Sequence, residues 1–199
     1  MDFLVTMTTH VPSGTSEETV AEVRRREAVH SLHLAERGSL RRLWRPPLKP
    51  GEWRTLGIFT ADDADELESV LASMPLRIWR TDEITPLAQH PNDPVLSGIG
   101  AGHEFLIAMT VAVPDGTPTG VVEDRLNREA QRARELANQG HLRRLWALPA
   151  EAPVRRTLGL WNARAGSIEA ILESLPLYAW MTITTTPLSA HPSDPGARQ

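Results

Sequence analysis

One sequence unit of roughly 95 residues occurs twice in this chain, and the duplication limits the fold more than any other feature. Ser39-Leu40-Arg41-Arg42-Leu43-Trp44-Arg45 returns as His141-Leu142-Arg143-Arg144-Leu145-Trp146-Ala147, and Arg54-Thr55-Leu56-Gly57 returns as Arg156-Thr157-Leu158-Gly159, both at an offset of 102. A one-residue deletion then shortens the offset to 101. Ser73-Met74-Pro75-Leu76-Arg77-Ile78-Trp79 matches Ser174-Leu175-Pro176-Leu177-Tyr178-Ala179-Trp180, and His90-Pro91 matches His191-Pro192. Two copies are too few, and their period too long, for a solenoid. They predict an internal pseudo-dimer, in which any site lying between the units is built twice.

The 199 residues divide on this reading into repeat 1 at 1–94, a glycine-containing linker at 95–102 and repeat 2 at 103–199. A formal net charge of −4 gives no general reason to expect nucleic-acid or anionic-membrane binding. The chain has no cysteine, which excludes disulfides, thiolate catalysis and cysteine metal sites. Met1–Thr9 lacks the basic start and apolar core of a signal peptide, and no apolar run approaches the ~20 residues of a membrane span. A cytoplasmic protein is expected. Lys49 is the only lysine among 21 basic residues, and arginine cannot act as a general base.

Each repeat reads strand, helix, strand, strand, helix, strand. In repeat 1, alternation at Phe3, Val5 and Met7 predicts a strand, and Ser16 followed by Glu18 starts a helix over 16–37 that Gly38 ends. Strands follow at 40–44 and 53–60, then a helix at 62–73 and a last strand at 78–85. Repeat 2 runs the same course from 105 to 186, with helices near 119–139 and 164–174. The order βαββαβ is the ferredoxin-like arrangement, in which one sheet face is left uncovered. The second copy can cover it, so an α+β fold is expected: two such units forming an intrachain pseudo-dimeric barrel.

The long helix of each repeat places a glutamate on its apolar stripe. Glu27 follows Val20 by seven residues, and Glu129 follows Val122 by seven. One reading is a helix-border glutamate paired with an arginine. The other is a desolvated carboxylate of raised pKa that moves a proton. Arg41, Arg54, Arg143 and Arg156, on matching strands, are candidates to hold a substrate carboxylate. Trp53, Trp79, Tyr178 and Trp180 are candidate pocket walls. His30 and His33 become Arg132 and Glu135 in repeat 2, so a site common to both repeats does not need them. His90 and His191 read as turn or docking residues. No phosphate loop, nucleophile elbow or dinucleotide fingerprint is present, which favours proton chemistry without a cofactor and gives no metal ligand set.

These motifs resemble the muconolactone delta-isomerase family: Met7-Thr8 and Pro12, the helix glutamate, Gly38 before Leu40-Arg41-Arg42-Leu43-Trp44-Arg45, Met74-Pro75-Leu76, and His90-Pro91. The likeness covers nearly all of 1–94 and 103–195. It implies a dimeric α+β barrel, further homo-oligomerisation, and a cofactor-free 1,3 proton shift in a small anionic lactone during aromatic-compound catabolism. It also implies Glu27 and Glu129 as proton carriers. Tyr178-Ala179-Trp180-Met181 stays near the family pattern, whereas Arg77-Ile78-Trp79-Arg80 puts charge there; by this measure repeat 2 is the closer match. A non-catalytic ligand-binding paralogue and a cofactor-free oxygenase or cyclase are the alternative readings.

Overall fold

The computed structural model describes residues 1–95, 102–151, 153–164 and 166–198. Repeat 1 supplies β1 (Asp2–Thr9), α1 (Glu17–Glu36), β2 (Leu40–Arg45), β3 (Arg54–Thr60), α2 (Ala64–Ser73) and β4 (Arg80–Gln89). Repeat 2 supplies β5 (His103–Val111), α3 (Thr119–Asn138), β6 (Leu142–Leu148), β7 (Arg155–Ala163), α4 (Ile168–Glu173) and β8 (Met181–Ala190). The fold is α+β, with the ferredoxin-like βαββαβ order present twice. Positions 96–101 of the expected linker lie outside the described residues.

Two compact units form. Unit 1 is Met1–Pro86 with Ser189–Gln199, and unit 2 is Leu87–Leu188. The division falls inside β4 and β8, so each repeat gives the end of its last strand and its tail to the other unit. In unit 1, β3 pairs antiparallel with β1 and with β2, while Trp44 and Arg45 of β2 pair with Ala190 and Ser189. In unit 2, β7 pairs with β5 and β6, β5 pairs with β8, and Ala88 and Gln89 pair with Ala147 and Trp146 of β6.

The local signals explain these elements. Ser16 caps α1, its hydroxyl accepting from the Thr19 N–H at 3.2 Å, and Asp63 caps α2 through the Glu66 N–H at 2.8 Å. Gly38 and Gly140 follow α1 and α3 at φ 76° and 80°, the left-handed conformation that ends a helix and favours glycine. Phe3, Val5 and Met7 of β1 pack with Leu34, Leu40, Leu43, Phe59, Leu67, Leu71 and Met74 into the core of unit 1. Phe105, Ile107, Met109, Leu136, Leu142, Leu145, Trp161 and Leu172 form the matching core of unit 2. Burying one such side chain stabilises by about 1.5–3 kcal/mol, which positions the helices firmly over the strands.

Two departures from simple strand alternation matter for the site. The register of β2 against β3 shifts between Leu40 and Arg42, and that of β6 against β7 between Leu142 and Arg144. This bulge lets Leu40 and Leu43, three apart, both enter the core. The last strands also start later than their hydrophobic pattern suggests, because Pro75–Trp79 and Tyr178–Trp180 form 3-10 turns. Pro75 opens the first of these, where its missing N–H costs nothing.

Candidate active site

In unit 1 a cavity of about 400 Å³ lies among α1, β1, β2, β3, the Pro75 turn and the tail after β8. Helical spacing puts Arg24, Glu27, Ala28 and Ser31 of α1 on its wall. Strand alternation supplies Met7 and Thr9 from β1, Leu43 and Arg45 from β2, and Thr55 from β3, with Trp53 one step before that strand. Arg80 enters from the start of β4, and His191, Pro192 and Ser193 come from the tail of repeat 2.

Glu27 is the carboxylate of this cavity, its side chain 12% exposed. Oε2 accepts the Leu76 N–H at 2.9 Å, and Oε1 lies 3.4 Å from Nη1 of Arg80. The Met74-Pro75-Leu76 turn thus has a physical use: Leu76, at the start of a 3-10 turn, offers an N–H with no partner inside the turn. Burial raises the Glu27 pKa; the Leu76 N–H and Arg80 pull it down, and Asp82 pushes it up again. Both sequence readings of Glu27 meet here, since it is a paired glutamate and a desolvated one.

Arg80 is itself held from behind. Its side chain is 2% exposed, Nε faces Oδ1 of Asp82 at 2.7 Å, and Nη2 donates to Oδ2 at 3.0 Å. Asp82 also binds Arg77, which reaches Glu68. Arg80 is therefore committed to carboxylates of the protein. Arg24, stacked over the Trp53 ring at 5.4 Å, and Arg45 form no ion pair with a described carboxylate.

Unit 2 has the corresponding cavity, of about 220 Å³, with Glu129 on its wall. Oε2 of Glu129 accepts the Leu177 N–H at 3.0 Å, and burial raises its pKa with only that bond opposing. The surroundings have changed. Arg24, Ser31, Thr9 and Arg80 correspond to Leu126, Ala133, Val111 and Met181, all of which line the second cavity. Arg45 corresponds to Ala147 and Asp82 to Ile183. Among the described lining residues the arginine is Arg155, the counterpart of Trp53, and it is exposed.

Several residues expected at the site lie elsewhere. Arg41, Arg54, Arg143 and Arg156 line neither cavity. The bulge takes Arg41 off the Leu43–Arg45 face, and it donates to the Thr60 hydroxyl at 3.2 Å instead. Arg54 and Arg156 sit one residue from Thr55 and Thr157, hence on the opposite sheet face. Trp53 does line the unit 1 cavity, but Trp79, Tyr178 and Trp180 line neither, because their 3-10 turns carry them outside. Trp180 is covered by the Arg125 guanidinium at 4.5 Å. His30 bonds the Ser73 hydroxyl at 2.8 Å, outside the Glu27 cavity.

Sequence reasoning missed the aspartates of the tails. Asp194, 0% exposed, accepts from Arg42 Nε and Nη2 at 3.2 and 3.1 Å, from the Leu43 N–H at 2.9 Å and from the Gly196 N–H at 3.2 Å. Gly196 is needed there, because a Cβ would collide with the Arg42 guanidinium. Asp93 does the same in unit 2, taking Arg144 Nε at 3.1 Å and the Leu145 N–H at 2.9 Å. Arg42 and Arg144 also stack on Trp44 and Trp146 at 4.6 and 4.7 Å. These latches fasten each His-Pro-x-Asp tail beside its cavity. The matched spacing of Asp93 and Asp194 was the available signal.

Comparison with known proteins agrees with this architecture. The family model described as muconolactone delta-isomerase matches residues 1–93 and again 103–194. Muconolactone Delta-isomerase 1 of Acinetobacter lwoffii is 32% identical over 92 residues, which cover 46% of this chain and 93% of that protein. Its length therefore corresponds to one repeat. Among solved structures, chlorite dismutase from Candidatus Nitrospira defluvii is similar with a TM-score of 0.62 at 8% identity, over 94% of this chain and 91% of that one. A heme-binding protein from Thermus thermophilus gives a TM-score of 0.61 at 11% identity, over 98% and 93%. At such identities the likeness concerns the fold alone. The two family matches together span most of the sequence, so the chain belongs to the muconolactone delta-isomerase family and carries the family's unit twice.

Proposed function

We propose that unit 1 is a cofactor-independent isomerase site, moving a double bond by a 1,3 proton shift in a small carboxylated lactone of the muconolactone type. The observation that carries this reading is Glu27: a largely buried carboxylate on a cavity wall, fixed by the Leu76 N–H, with burial raising its pKa. A carboxylate of ordinary pKa is a weak base near neutrality, and desolvation corrects that. In the reaction Glu27 takes a proton from an allylic ring carbon as that C–H bond breaks. The double bond shifts, and the lactone carbonyl oxygen holds the negative charge of the dienolate. The Glu27 carboxyl then returns its proton two carbons away, forming the new C–H bond and restoring the carboxylate. Atoms and charge balance with no oxidant, reductant or cofactor.

Arg24 and Arg45 are the cations for the acid arm of the substrate, since neither is taken by a described carboxylate. Arg80 orients Glu27 rather than the substrate. Unit 2 has Leu126, Ala147 and Met181 where unit 1 has Arg24, Arg45 and Arg80, so unit 1 is the site suited to an anion and Glu129 lies in a cavity poorly suited to one.

The test is direct. The intact chain is incubated with muconolactone, and the product is identified by NMR while the ultraviolet change is followed. The expected result is the isomer with its double bond moved by one position. A chain that folds yet gives no turnover would refute the reading.

A further inference from the structure

We propose that His191 is a catalytic hydrogen-bond donor of the Glu27 site, its neutral imidazole presenting Nε2–H to the oxygen on which charge develops. The inference rests on the isomerase reading and adds the group that reading lacks, a donor for the dienolate.

The backbone determines the tautomer. Nδ1 of His191 accepts the Ser193 N–H at 3.1 Å, so Nδ1 carries no proton and the ring N–H must be at Nε2. Among the described residues nothing accepts from Nε2, and His191 lines the same cavity as Glu27. The residue is held in place by its own N–H on the Leu43 carbonyl at 3.2 Å and by the Asp194 N–H on the His191 carbonyl at 2.8 Å. The Asp194 latch then fixes the whole tail to β2.

The charges around the ring keep it neutral. Burial disfavours the imidazolium most, Arg45 and Arg24 add to this, and Asp194 opposes them, bringing the pKa down to about 4. A neutral imidazole suits the reaction for two reasons. It stabilises an oxyanion without handing it a proton, which an imidazolium would do. It also adds no further positive charge beside Glu27, whose raised pKa Arg80 already opposes. Unit 2 builds the same device with the other tail: the Asn92 N–H donates to Nδ1 of His90 at 3.1 Å, and His90 lines the Glu129 cavity.

The experiment compares the wild-type chain with His191→Ala and His191→Gln on muconolactone, with circular dichroism to confirm folding. His191→Ala is expected to lower kcat by about 100- to 1000-fold with KM changed only a few-fold. His191→Gln, whose amide N–H reaches toward the same place, recovers at least about tenfold of that loss. Independently, the ¹⁵N spectrum of histidine-labelled wild-type protein should show His191 as the Nε2–H tautomer from about pH 8 to about pH 5. An active wild type with undiminished His191→Ala, or a ring protonated at Nδ1, overturns the role of His191 alone. An inactive wild type overturns the isomerase reading and this role with it.

Discussion

The substitution Glu27→Gln separates chemistry from structure. The amide oxygen keeps the bond from the Leu76 N–H, now 2.9 Å, and the side chain matches glutamate in shape. Arg80 loses a partner at 3.4 Å but retains Asp82 at 2.7 and 3.0 Å. The amide NH2 takes the place of Oε1 and faces Arg80 Nη1, donor against donor, so the cost to folding is about 1–3 kcal/mol, too little to unfold the chain. What disappears is the proposed proton carrier, and general acid–base catalysis contributes roughly 10²–10⁴-fold. Glu27→Gln should therefore lower kcat by at least about 100-fold, or about 3 kcal/mol in barrier. Glu129→Gln should leave kcat within about twofold, because Leu126, Ala147 and Met181 replace the cations of unit 1. Initial rates at saturating muconolactone measure both variants, with thermal melts as the folding control. Two equivalent sites would leave each single variant at about half the wild-type rate. That result, or a collapse confined to Glu129→Gln, refutes the assignment to unit 1.

The electrostatics give further outcomes. The rate kcat/KM should fall as pH drops through the raised pKa of Glu27; Arg80→Met, which copies unit 2, removes a cation that lowers this pKa and should move the limb to higher pH. Glu129 has a raised pKa in the folded state, so its contribution to stability is present below the ordinary carboxylate pKa and is lost as pH rises through the raised one. Glu129→Gln should consequently melt higher than the wild type at pH 7, with the difference closing in acid. Asp194→Asn breaks a pair whose carboxylate is fully buried and should cost about 3–5 kcal/mol, lowering Tm by roughly 6–20 °C. Asp93→Asn should cost less, because Arg144 is 27% exposed against 12% for Arg42.

The legible parts of the sequence were those governed by short-range periodicity. Element order, helix caps and the β1 face followed from spacing and capping residues, and comparison of the repeats isolated Glu27 and Glu129. The cations were not legible from β2, because one bulge changes which side of the strand Arg41 takes, and nothing local marks it. Arg54 was a different case: Trp53, Thr55, Gly57 and Phe59 alternate on one face, and that pattern already put Arg54 on the other. Trp79 and Trp180 were misplaced because a proline-led 3-10 turn interrupts the strand pattern just where the family motif is aromatic. The tails were hardest. His191 and Asp194 act on partners more than 100 residues away in sequence, and only the recurrence of His-Pro-x-Asp pointed to them.

Those tails also determine how far the two repeats can diverge. A symmetric dimer of separate chains must carry the same residues in both sites. A fused pair is released from that rule, and the differences between Arg24, Arg45 and Arg80 of repeat 1 and Leu126, Ala147 and Met181 of repeat 2 use the freedom. The release is incomplete, because the tail of repeat 2 belongs to unit 1, where His191 lines the Glu27 cavity and Asp194 latches β2. On the proposed reading, repeat 2 can thus do without cations around its own glutamate while its tail stays bound to the Glu27 cavity. The tail of repeat 1 has the weaker obligation, toward the Glu129 cavity. Substitution should accordingly be more damaging to turnover at His191 than at His90, and at Asp194 than at Asp93, even though the local geometry of each pair is nearly the same.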